Sequence, residues 1–115
     1  MKITIEEIKE AIRLAEAKEK ASKAKIVWGQ SGTESINNKA QIEAENELDR
    51  FITNLSKYKT FDLGSLQWRG IFSLDPKHEI PDDNSIDFFI KSLKNDPYLA
   101  EHLKLGCKAL NIELD

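Results

Sequence analysis

Residues 44–55 read Ala-Glu-Asn-Glu-Leu-Asp-Arg-Phe-Ile-Thr-Asn-Leu, and this stretch decides the fold class. Ala44, Leu48, Phe51, Ile52 and Leu55 fall at i, i+4, i+7, i+8 and i+11, the spacing that gives a helix one wide apolar face. A face of that width must be covered by other elements. The pattern predicts a helix from near Asn38, with Gln41 as its N3 partner, to about Lys57.

Upstream, the start of the first helix is marked three times over. Thr4 is placed to cap it, Glu7 completes a capping box, and Ile3 and Ile8 occupy the positions of a hydrophobic staple. Ile5, Ile8, Ile12 and Ala15 continue at helical spacing, followed by Ala17, Ala21 and Ala24 between Lys18, Lys20, Lys23 and Lys25. Gly29 is a candidate stop, and Gln30 to Ser35 is expected to be a loop of small polar residues.

Downstream, a third helix is expected from Phe61 to about Gly70, then a long loop from Ser73 to Asn84 that holds two of the three prolines. The fourth helix opens at Asn84 or Ser85 and presents Ile86, Phe89, Ile90 and Leu93 at i, i+3, i+4 and i+7. It should stop at Asn95, because Asp96-Pro97 suits the cap and first position of a fifth helix, which carries Leu99, Leu103, Cys107 and Leu110. The stripes of the second and fourth helices are expected to meet. Only Ile71 to Leu74 hints at a strand. The expectation is one all-α domain spanning residues 1–115, a compact bundle of four to five helices with one long loop before the fourth.

Three segments give this order of elements a likeness: 47–52 leading to Leu55, Asp62-Leu63-Gly64-Ser65-Leu66-Gln67-Trp68-Arg69-Gly70, and Pro97-Tyr98-Leu99 followed by Leu103 and Gly106. Over roughly residues 44 to 110 the chain resembles a family of small bacterial proteins catalogued as domain-of-unknown-function family 3775. It departs from that pattern after Gly70, where Ile71-Phe72 replaces a charged turn. The resemblance implies a compact helical domain and brings no activity with it.

The chain has 115 residues, 40% hydrophobic and 32% charged, enough to build a core without metal or disulfide. Its one cysteine permits no internal disulfide and suits a reducing compartment, and its opening Met-Lys-Ile-Thr-Ile-Glu-Glu lacks the apolar run of a secretory signal. The expectation is a cytoplasmic protein. No run of apolar residues approaches the length that crosses a bilayer, so no membrane partner is expected. The net charge of −3 supplies no global field for nucleic acid.

Chemistry-bearing residues are sparse. His78 sits beside Glu79 in the long loop, His102 follows Glu101, and neither has a second histidine at ligand spacing, so no metal is expected. Cys107 lies about 500° around the helix from His102 at 100° per residue, off its face. It reads as a small buried hydrophobe. Asp82-Asp83 reads as a solvated turn. The five glycines form no phosphate cradle, so no cofactor and no catalytic set are expected. An enzyme would need His78 or His102 beside a carboxylate in a closed pocket.

Two clusters suggest docking. Ile26, Val27 and Trp28 are consecutive and cannot all face one side of a helix, so part of the cluster should stay outside a monomer core or meet a partner protein, which a second copy in a two-fold homodimer would supply; the alternative is that it packs under the long loop. Trp68 and Arg69 belong to the residue types most enriched at binding hot spots. The alternative to docking is that Trp68 fills the core, Arg69 pairs with a carboxylate and Gly70 caps the helix. The competing function is a nucleic-acid-associated factor using Lys18, Lys20, Lys23 and Lys25, a face without arginine or aromatics and therefore without base readout.

Overall fold

The computed structural model describes residues 1–28, 31–75 and 85–114, with side chains described outside 22–38. Among these residues five helices follow in order: α1 (Ile5–Trp28), α2 (Ser31–Asn54), α3 (Lys57–Leu74), α4 (Ile86–Asn95) and α5 (Leu99–Ala109). No strand occurs among the described residues, so the fold is the expected all-α bundle.

The local signals at the first helix act as read. The Glu7 N–H donates to Thr4 Oγ1 at 3.1 Å and the Thr4 N–H donates to Glu7 Oε1 at 3.1 Å, while Ile3 and Ile8 are both buried. Ser85 caps α4 by accepting from the Phe88 N–H at 3.1 Å, and α4 ends at Asn95. The α5 terminus is a Schellman motif, with Ile112 N–H bonded to Cys107 O and Asn111 N–H to Lys108 O. Asn111 takes φ 58°, the left-handed conformation that asparagine tolerates.

Three helices differ from expectation at their ends. The helix α2 starts at Ser31, not near Asn38: once a strongly periodic segment supplies a helix, extending it by a residue costs far less than starting one, and small polar residues do not stop it. The helix α3 is longer at both ends, capped by Ser56, which accepts from the Lys59 N–H, and continuing through Ile71 to Leu74. Gly70 is therefore no cap. Finally, α5 begins at Leu99, since Asp96 uses Oδ1 to accept the Tyr98 N–H at 2.9 Å and closes a turn ahead of the helix.

The helices α3 and α5 form the central pair and run antiparallel: Gly70 faces the backbone of His102, and Leu66 faces Gly106. The helix α1 packs on α2 and α5, and α4 lies on α3. The α2–α4 contact is a minor one, so the two apolar stripes expected to meet find other principal partners. Ile8, Leu14, Leu48, Ile52, Leu63, Leu66, Leu93 and Leu103 fill the core, whereas Ile5 is exposed despite its place in the stripe of α1.

Candidate functional site

On α3, the residues Ser65, Trp68, Arg69, Phe72 and Ser73 fall at i, i+3, i+4, i+7 and i+8 and line one open groove of about 650 Å³. Phe89 of α4 and Ala109 of α5 form its walls. The opposite face of α3, with Leu63, Leu66 and Gly70, is buried against the bundle, and this split leaves the groove face uncovered among the described residues. Trp68 is half-buried and its ring stacks on Phe88, with centroids 6.1 Å apart and planes 13° apart. Phe89 is held edge-on by both Phe61 and Phe88. Arg69 is exposed and pairs with no carboxylate among the described residues. Trp68 and Arg69 are thus brought to one surface.

A second arrangement lies beneath the α4–α5 corner. Asp96 Oδ2 meets His102 Nδ1 at 2.5 Å and accepts from Gln67 Nε2 at 3.0 Å. Gln67 Nε2 also donates to Ser92 O, and Ser92 Oγ donates to Gln67 Oε1, each at 3.0 Å. The His102 and Asp96 side chains are 13% and 7% exposed. Buried polar groups are costly unless paired, and here every partner is present.

This cluster contains serine, histidine and aspartate but not the connectivity of a nucleophilic triad. Such a triad needs the imidazole between hydroxyl and carboxylate. Here Gln67 stands between Ser92 and Asp96, and the serine proton points at an amide oxygen. None of the described grooves is lined by His102 or Asp96. The arrangement ties α3 to the α4–α5 corner.

The remaining candidates separate clearly. Ile26, Val27 and Trp28 lie in the last turn of α1, but their side chains, like those of Lys23 and Lys25, fall outside the described residues. His78, Glu79, Asp82 and Asp83 fall outside them altogether. Lys20 is exposed, but Lys18 donates from Nζ to the carbonyl of Lys94 at 2.7 Å, placing its charge at the C-terminus of α4, where the helix dipole welcomes a cation. Lys18, Lys91 and Lys94 share their groove with Glu45 and Asp49, so that surface is mixed in sign. Lys59 pairs with Glu7 at 3.0 Å, about 16 Å along α1 from Lys18 at 1.5 Å per residue. Cys107 is buried, and burial pushes its thiol pKa up. Among the described residues no three metal-ligating side chains converge, and no helix is long and apolar enough to cross a membrane.

The sequence did not point to Gln67 and Asp96. The available signal was a polar residue, Gln67, aligned with Leu63 and Gly70 on the buried face of α3. Comparison with protein-family models, with curated proteins and with solved structures finds no match to this chain.

Proposed function

We propose that this chain is a non-enzymatic protein-interaction module of the cytoplasm, a regulator or inhibitor that acts by docking a partner protein. The observation that carries the reading is the open groove on α3, whose apolar surface comes from Trp68, Phe72, Phe89 and Ala109 and which carries Arg69 at mid-length. Tryptophan, phenylalanine and arginine on one concave surface are the composition of an interface centre. The resemblance to family 3775 adds a helical fold to this reading and no activity. The His102–Asp96 pair favours no enzyme, because its groups are committed to one another and to Gln67. A nucleic-acid role ranks lower, since Lys18 is engaged by the end of α4.

The test is a photo-crosslinking amino acid placed at Ser65 or Ser73 in living cells, with Glu43 on α2 as the control position. The reading expects both groove positions to yield an adduct with the same protein and Glu43 to yield none. Adducts indistinguishable between groove and control would end it. A second copy of the chain as the captured protein would make the module a self-assembling one, as the cluster Ile26, Val27 and Trp28 also suggests.

A further inference from the structure

We infer that the groove on α3 takes an acidic amphipathic helix of a partner protein, with a carboxylate of that helix paired to Arg69. This rests on the docking reading above and specifies its partner. The five α3 residues that line the groove span eight residue steps, about 12 Å at 1.5 Å per residue, which is two turns of a helix laid alongside. The groove is open, whereas a small ligand needs a site that buries most of its surface. An elongated occupant suits it better than a compact one.

Charge sets the sign. Among the described residues Arg69 is the charged side chain that lines the groove, and it has no ion pair with any of them, in a chain where acidic residues outnumber basic ones 20 to 17. Phe72 and Trp68 stand beside it, and a guanidinium on an apolar surface pairs with a carboxylate more strongly than one in open water.

The same geometry argues against a second copy. Arg69 stands at the middle of the 65–73 stripe, so an antiparallel two-fold pairing of two grooves would set Arg69 against its own symmetry mate. Like charges at the centre of an interface oppose its formation.

The experiment uses the full chain and two fluorescein-labelled, helix-stapled 14-residue probes. Both carry leucines at i, i+4 and i+7; one is flanked by glutamates, the other by lysines. Fluorescence anisotropy should show saturable binding of the glutamate probe and at least tenfold weaker binding of the lysine probe. Arg69→Glu should reverse that order; Arg69 is exposed, and an unchanged thermal melt of the variant verifies its fold. Equal binding of the two probes, binding of neither, or no effect of Arg69→Glu overturns the inference. So does competition by dodecanoate at the groove, which would assign it to a small amphiphile, or Arg69-dependent self-association. Crosslinks from Ser65 and Ser73 that persist when the probes fail would remove the acidic helix and leave the docking reading standing.

Discussion

Gly70 and His102 meet backbone to backbone: a methyl group on Gly70 would lie 1.8 Å from the His102 carbonyl oxygen. One turn away the relation is inverted, for a methyl group on Gly106 would lie 2.0 Å from the Leu66 carbonyl oxygen. The central helix pair is therefore built around two absent side chains, one from each helix.

Gly70→Ala and Gly106→Ala should each destabilise the fold by about 1–3 kcal/mol or more, because the obstacle is backbone and cannot rotate away. Gly64→Ala should cost less. Its methyl would strike the Phe89 ring at 2.2 Å, a side chain bordering an open groove, and alanine recovers about 1 kcal/mol of helix propensity. Urea denaturation of the three variants measures the order.

Asp96→Ala should cost about 3–5 kcal/mol, the usual penalty for leaving buried partners of a charged group unmatched. It would strip the acceptor from Gln67 Nε2, His102 Nδ1 and the Tyr98 N–H together. A double-mutant cycle between Asp96 and Gln67 should return a coupling of about 0.5–3 kcal/mol. A coupling near zero would show that Gln67 is held by Ser92 alone.

Acid should weaken the junction of α1 with α3. The Lys59 hydrogen bond, followed by the Thr4 N–H, holds the Glu7 carboxyl below its ordinary value of 4.5. A carboxyl depressed in the folded state contributes stability above its unfolded value and loses it as pH falls through the folded one. Glu7→Gln should therefore lower the melting temperature at pH 7, and the difference from wild type should close below pH 4.5.

Cys107 should be inert in the native protein. Burial raises its thiol pKa, and only the thiolate reacts. Modification by a disulfide reagent at neutral pH should be slow in buffer and accelerate across the urea transition in step with unfolding. Rapid modification of the folded chain would contradict its burial.

What the sequence disclosed follows the range of each interaction. The Thr4–Glu7 box spans three residues, and Ser85 caps α4 across the same interval, so both are readable from neighbours alone. The groove is half legible: Trp68 and Arg69 stand out by type, but a helix that stops at Gly70 leaves Phe72 and Ser73 to a strand candidate and a loop. That glycine serves a helix crossing, and a crossing involves residues 32 positions apart. Gln67 finds Asp96 across 29 residues, a relation that no local period encodes.

The two glycine contacts also bear on how α3 can move. Two backbone contacts one turn apart fix registration as well as distance: sliding α3 by a turn along α5 would drive side chains into the carbonyls now accommodated by Gly70 and Gly106. Slip is blocked along the axis. The groove's floor is the outer face of this same pinned helix, so the backbone beneath Trp68 and Phe72 keeps one register, and on the docking reading the conforming falls to the partner.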